Sequence, residues 1–98
     1  MVIELVLLRV RHSVSDEAFL AAAASANDVL TRCRGFLRRR LAKEEHGQWV
    51  DYVEWETLPD ALAAAEAFSA DAAAQPFNAA IEPGSVTMRH CELRMGLG

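Results

Sequence analysis

The sequence predicts an α+β fold in which one antiparallel sheet carries two helices, in the order β-α-β-β-α-β. Four short segments, at residues 2–11, 36–45, 48–56 and 85–95, are rich in β-branched, aliphatic or aromatic residues and indicate strands. Two alanine-rich segments between them repeat apolar residues at steps of three and four, which is the spacing of one helix face. This order of elements is the split βαβ, or ferredoxin-like, arrangement.

Length and charge bound the class of protein. The chain has 98 residues and a formal net charge of −4, which suits one domain covering residues 1–98 and gives no broad attraction to phosphates or an acidic membrane surface. No window approaches the roughly 20 apolar residues that span a bilayer. Glu4 and Arg9 interrupt the apolar start, which argues against a signal peptide. We therefore expect a cytoplasmic protein.

The first strand and first helix follow from residues 2–11 and the segment after them. The sequence VIELVLLRVR predicts a central strand, since aliphatic residues run together with isolated charges. The hydroxyl of Ser13 or Ser15 is expected to cap the helix by accepting a backbone N–H. The helix is predicted to run to about Arg32 and to end at Gly35. Its apolar stripe consists of Phe19, Ala22, Ala23, Ala26, Val29 and Leu30.

Residues 36–45 and 48–56 flank the dipeptide His46-Gly47 and predict a hairpin with a two-residue turn. That turn places Lys43 opposite Val50. The same register gives the further pairs Leu41 with Tyr52, Arg39 with Glu54, Ala42 with Asp51, Arg40 with Val53 and Arg38 with Trp55.

The second helix is predicted to begin near Thr57, which stands three residues before Asp60 at capping-box spacing. Its expected apolar stripe consists of Leu58, Ala61, Leu62, Ala65 and Phe68. Residues 71–81 indicate a broken helical segment that restarts at Pro76. A turn at residues 82–84 then leads to the last strand.

The segment WVDYVEW, residues 49–55, places large side chains on both faces of one predicted strand. The two helices can cover one face of the sheet. The other face would remain an extended apolar surface in a monomer, and such surfaces mark interaction sites. The simplest partner is a second copy related by a twofold axis. The sequence therefore predicts a homodimer that pairs through its sheet faces.

Four stretches resemble one family over nearly the whole chain: the opening IEL, then GFLRRRLAKEEHGQWVDYVEW, ETLPDALAAAEAF and PFNAAIEPGSVTMRH. They are similar to the antibiotic biosynthesis monooxygenase-like proteins. The resemblance implies a dimeric α+β barrel. It also implies activities of that family, which include cofactor-independent oxidation of polycyclic aromatic phenols to quinones and oxidative breakdown of heme.

The heme-degrading branch is disfavoured. The resemblance would require an Asn on the first strand, a Trp in the second helix and a His in the segment after it, where this chain has Asn78 but no His. The phenol-oxidising branch relies on Trp, Tyr and polar residues around a pocket between sheet and helices. The chain contains Trp, Tyr and polar residues of these types, although they do not match the pocket residues of that branch position by position.

Three titratable residues are candidates for catalysis. His90 lies in an otherwise apolar strand, and its imidazole can take a proton from a phenol or enol. Asp51 and Glu4 also lie within predicted strands, where a carboxylate needs a partner. Either can act as a base with a raised pKa, and Asp51 can instead orient His90. The alternative for all three is a structural hydrogen bond or ion pair.

The aromatic side chains can either line a ligand pocket or form the core. Rings stack on a flat aromatic ligand, while a few polar groups set its orientation. The candidates for ligand binding are Trp49, Tyr52, Trp55, Phe68 and Phe77.

Other site classes find little support. Cys33 and Cys91 stand alone, so a disulfide or zinc site is not expected, and no nucleotide or flavin motif is present. Nucleic-acid binding is disfavoured because the first strand lacks the aromatics of an RNA-recognition domain. The arginines between residues 32 and 40 are interpreted as ion-pair partners of Glu44, Glu54 and Glu56.

The leading hypothesis is a small homodimer without cofactor or metal that acts on or binds a small aromatic molecule between sheet and helices, as a cofactor-independent monooxygenase-like protein. The alternative is a noncatalytic ligand-binding or stress-associated dimer of the same fold.

Overall fold

The computed structural model describes residues 1–98, and its elements follow the predicted order. The strands are β1 (Val2–Leu8), β2 (Phe36–Lys43), β3 (Trp49–Trp55) and β4 (Thr87–Glu92), and the helices are α1 (Asp16–Thr31), α2 (Leu58–Ala70) and α3 (Gln75–Ala80). The strands form one antiparallel sheet in the spatial order β2-β3-β1-β4. The predicted ferredoxin-like α+β class is thereby confirmed.

Local hydrogen bonds set the starts of both long helices. The Ser15 hydroxyl accepts the N–H of Ala18 at 3.1 Å and caps α1, so Ser15 and not Ser13 is the cap. The Thr57 hydroxyl accepts the N–H of Asp60 at 3.2 Å and caps α2, as predicted. Each contact spans three residues, which explains why the sequence alone could indicate it.

The predicted hairpin register is wrong by one residue. Lys43 lies opposite Trp49, and the Glu44 N–H donates to the Gln48 carbonyl at 2.9 Å, which leaves a three-residue loop. Gly47 adopts a φ of 91°, a left-handed conformation that suits such a loop. Because side chains alternate along a strand, this shift moves Arg39 from the open face of the sheet to the helix-covered face.

The predicted stripe of α2 is only partly correct. Ala61 is buried as expected, but Leu58 and Leu62 are 43% and 51% exposed. Ala64 is buried in their place. The small alanine side chains let α2 approach the sheet closely, and the leucines lie on the outer side of the helix.

The remaining segments differ from the prediction mainly at their ends. A 3₁₀ turn at Ala72–Ala74 precedes α3, so the predicted break before Pro76 is present. β1 ends at Leu8 rather than at residue 11, although Val10 still forms an isolated bridge with Ile81. β4 is likewise shorter than the predicted 85–95.

The core between sheet and helices contains two apolar clusters. Phe19 of α1 is fully buried at the centre of the first cluster, where its ring centroid lies 4.9 Å from those of both Trp49 and Phe77. Trp55 is fully buried in the second cluster, with Phe36 packed edge-to-face at 5.7 Å. These clusters hold the helices on one face of the sheet.

The other face of the sheet has no covering element. Register places Ile3, Leu5 and Leu7 of β1 on this side, next to Val50 and Tyr52 of β3. All five are partly exposed. This apolar band, called the open face below, is bordered by arginines on both edge strands, namely Arg38, Arg40 and Arg89. None of the helices combines the length and the hydrophobicity that a membrane-spanning helix requires.

Candidate functional site

A cavity of about 250 Å³ lies between the sheet and helices α2 and α3. All four strands contribute side chains from their helix-covered faces. The lining is mostly apolar, with Val6, Leu30, Val53, Trp55, Ala64, Ala65, Phe68 and Met88, and its polar members are Glu4, Arg39, Asp51, Ser69 and Asn78. An apolar enclosure with a few convergent polar groups is the usual character of a small-molecule site.

Arg39 and Asp51 form a buried ion pair in the wall of the cavity. Arg39 Nε donates to Asp51 Oδ1 at 2.9 Å, and Nη2 donates to Oδ2 at 2.7 Å. Their side chains are only 7% and 9% exposed. Nη1 donates to the Ala23 carbonyl at 3.1 Å and the Asn27 amide oxygen at 2.9 Å. The charge of Asp51 is therefore neutralised by a tethered guanidinium, which makes Asp51 a poor free base.

Glu4 is the cavity carboxylate that has no arginine or lysine partner. Its Oε1 accepts a hydrogen bond from Trp55 Nε1 at 2.9 Å. Its Oε2 lies 3.7 Å from His90 Nε2, which is longer than a hydrogen bond. That nitrogen is buried and has no hydrogen-bond partner. Glu4 and His90 thus form a close acid–imidazole couple, because positions 4 and 90 are paired across β1 and β4.

Asn78 adds a polar group near the opposite side of the cavity. Its Nδ2 donates to the Phe68 carbonyl at 3.4 Å, which links α3 to α2. No group of three or more His, Cys, Asp or Glu side chains lies together as a metal-binding cluster, and Cys33 and Cys91 are both free.

Comparisons with known proteins bear on the fold. No family model matches the chain, and no curated protein matches it. A candidate antibiotic biosynthesis monooxygenase from Bordetella bronchiseptica superposes with a TM-score of 0.80 at 15% identity, covering 96% of this chain and 97% of that one. SnoaB, a cofactor-independent oxygenase from Streptomyces nogalater, gives 0.70 at 20% identity, covering 98% and 95%. A dimeric ferredoxin-like protein from Jannaschia gives 0.67 at 14% identity, covering 94% and 98%.

The chain has the fold of the antibiotic biosynthesis monooxygenase-like proteins. The resemblance predicted from the sequence is thereby confirmed for the fold, which is all that identities of this size show.

Within this monooxygenase-like fold, the cavity brings together four of the predicted site residues. Glu4, Asp51, Trp55 and Phe68 all line it. His90 does not line the cavity. It lies beside Glu4, and its Nε2 is buried. A ligand in the cavity would therefore contact Glu4 and not His90. The expected contact between Asp51 and His90 is replaced by the ion pair of Asp51 with Arg39.

The other predicted ligand-binding aromatics lie elsewhere in the monooxygenase-like fold. Trp49 and Phe77 pack around Phe19 in the core and do not line the cavity. Tyr52 lies on the open face, because residues 50, 52 and 54 of β3 alternate away from the helices. Its hydroxyl donates to Glu54 Oε2 at 2.7 Å, and this hydrogen bond raises the pKa of the Tyr52 phenol.

Sequence reasoning missed Arg39, Ser69, Asn78 and Met88 as cavity residues. Arg39 was assigned to the wrong face with the shifted hairpin register, and Gly47 was the signal that could have corrected it. The predicted arginine partners were also mostly wrong. Arg38 does approach Glu54 at 3.8 Å, but the partners of Arg32 and Arg34 are Asp71 and Asp60.

Proposed function

We propose that the protein binds a small aromatic molecule in the cavity and acts as a cofactor-independent monooxygenase. The observation that carries this proposal is the position of Glu4. A buried carboxylate without an arginine or lysine partner lines an apolar cavity and lies 3.7 Å from an imidazole. The similarity of fold to a cofactor-independent oxygenase supports the same reading.

Cavity volume favours a compact ligand. The volume of about 250 Å³ lies just below the roughly 300–1,000 Å³ of sites that enclose drug-sized ligands. One or two fused rings suit such a space better than a larger polycycle. Trp55 and Phe68 supply aromatic surface for stacking on those rings.

The proposed reaction needs a base and dioxygen. The phenolic O–H bond breaks, its proton moves to the Glu4 carboxylate, and the electron pair stays on the ring oxygen. The resulting phenolate is electron-rich and reduces O₂ directly. One oxygen atom bonds to a ring carbon whose C–H bond breaks, which gives the quinone. The other oxygen atom leaves as water with the two hydrogens that come from the O–H and C–H bonds. His90 lies beside Glu4, and a movement that closes the 3.7 Å between Nε2 and Oε2 to hydrogen-bond distance would let the imidazole take up this proton.

We further propose that the active form is a homodimer paired through the open face. That face exposes apolar residues of both central strands, and a structural neighbour is described as dimeric. A second copy would remove this surface from water, which is the favourable term in most protein association. Arg38, Arg40 and Arg89 on the two edge strands would remain at the rim, where charges are usual.

Oxygen consumption tests the proposed activity. We expect the protein, without added metal or flavin, to consume O₂ with at least one member of a panel of one- and two-ring polyphenols. His90→Ala should slow the reaction by less than the roughly 10²–10⁴-fold typical of a direct acid–base group, since His90 acts through Glu4. His46→Ala is the matched control, because His46 lies in the exposed hairpin loop. Tight binding without oxygen consumption would contradict the oxygenase assignment and favour a noncatalytic binding protein.

Sedimentation tests the dimer. We expect the wild-type protein to sediment as a dimer at micromolar concentration. Leu5→Lys should raise the dimer dissociation constant by roughly a hundredfold or more, because it places like charges in an apolar interface. Leu62→Lys is the control, since Leu62 is exposed on the outer side of α2. A monomeric wild-type protein, or equal effects of the two variants, would refute pairing through this face.

A further inference from the structure

The charged side chains that line the cavity include one acid without a basic partner. Its charged lining residues are Glu4, Arg39 and Asp51. Arg39 and Asp51 cancel each other through two short hydrogen bonds. Glu4 is the lining acid that no arginine or lysine contacts, so its carboxylate is left over from this pairing. An acidic group in a mostly apolar lining acts strongly on a charged ligand, because little solvent screens it.

The hydrogen-bonding groups of the lining residues also favour a neutral donor ligand over an anion. An ionised carboxylate offers about four acceptor positions, and Glu4 uses one for the indole N–H of Trp55. His90 lies too far from Oε2 for a hydrogen bond. The donors of Arg39 are directed to Asp51, Ala23 and Asn27. The Ser69 hydroxyl donates to the Glu66 carbonyl, and Asn78 Nδ2 donates to the Phe68 carbonyl. The cavity therefore presents a free acceptor at Glu4, while its donors are largely engaged within the protein.

We infer that Glu4 determines ligand specificity: it accepts a hydrogen bond from a neutral aromatic hydroxyl compound and rejects aromatic carboxylates of the same size. This inference rests on the proposed binding of a compact aromatic molecule in the cavity. It assigns Glu4 as the residue that contacts the ligand, and His90 as a positioning residue beside it.

Calorimetric titration with a matched pair of ligands tests the inference. 2-Naphthol and naphthalene-2-carboxylate share the same rings, and at neutral pH the first is uncharged and the second anionic. We expect the wild-type protein to bind 2-naphthol roughly ten- to a hundredfold more tightly, which is the affinity that one hydrogen bond to a charged group contributes. Glu4→Gln should abolish most of this preference by weakening 2-naphthol binding and strengthening carboxylate binding.

Glu4→Gln is suited to this test because the glutamine amide oxygen can still accept the Trp55 indole N–H. Glu66→Gln is the matched control, since it removes the same charge from an exposed position on α2. Wild-type protein that binds the carboxylate as tightly as 2-naphthol would overturn the inference, and so would a preference that survives Glu4→Gln. Failure of wild-type protein to bind either compound would instead refute the proposed function on which the inference depends.

Discussion

Replacement of Arg39 by methionine is expected to lower the free energy of unfolding by about 3–5 kcal/mol, the usual cost of breaking a buried ion pair. Methionine fills similar space but removes the guanidinium that neutralises Asp51, whose side chain is 9% exposed. The carboxylate then remains buried without a partner, and the bonds to Ala23 and Asn27 are lost as well. Urea denaturation followed by circular dichroism measures the effect.

Two further variants separate charge from packing in this result. Arg94→Met removes an exposed arginine beyond β4 and should change stability by less than about 0.5 kcal/mol. The double variant Arg39→Met/Asp51→Leu should recover much of the loss, because apolar replacement of both partners is often neutral. A loss below about 1 kcal/mol for Arg39→Met alone would show that Asp51 is solvated or otherwise compensated.

Truncation of Phe19 to alanine is expected to cost a similar amount, about 3–5 kcal/mol, for a different reason. The ring is fully buried and packs at 4.9 Å against both Trp49 and Phe77. Its removal leaves a cavity that rigid neighbours in a sheet and a short helix cannot close. Thermal unfolding measures the loss, and near-ultraviolet circular dichroism should show a changed environment for Trp49.

The neighbouring residue provides the comparison for Phe19. Leu20 is 48% exposed on the same helix, so Leu20→Ala should cost well under half as much. Equal losses for the two variants would mean that the buried aromatic cluster is not the main support of α1. Because Arg39 lies over the Phe77 ring at 5.0 Å, the cluster also borders the ion pair of the cavity.

Several features of this protein could be predicted because they depend on short stretches of chain. The caps at Ser15 and Thr57 act over three residues, and apolar periodicity at two or 3.6 residues indicates each element. The order of elements then leaves the ferredoxin-like arrangement as the natural solution. Glu4 and Asp51 could also be singled out, since a carboxylate within an apolar strand needs a partner wherever the strand lies.

The sequence alone did not identify the partners of Glu4 and Asp51. One extra residue in the loop at Gly47 reversed the faces of β2, and this brought the side chain of Arg39 to Asp51 instead of to Glu54, which the predicted register had placed opposite it. Likewise, the alternation in WVDYVEW predicted two faces for β3 without deciding which one the helices cover, because both carry large apolar side chains.

By itself, then, the sequence determined where the helices begin, the order of strands and helices along the chain, and which buried acids require explanation, since these depend on neighbours a few residues away. Only the tertiary structure decided that Asp51 pairs with an arginine and that Glu4 does not. The contact between Arg39 and Asp51 depends on the hairpin register, which a shift of a single residue would change. The contact between Glu4 and His90 joins residues that are far apart in the chain.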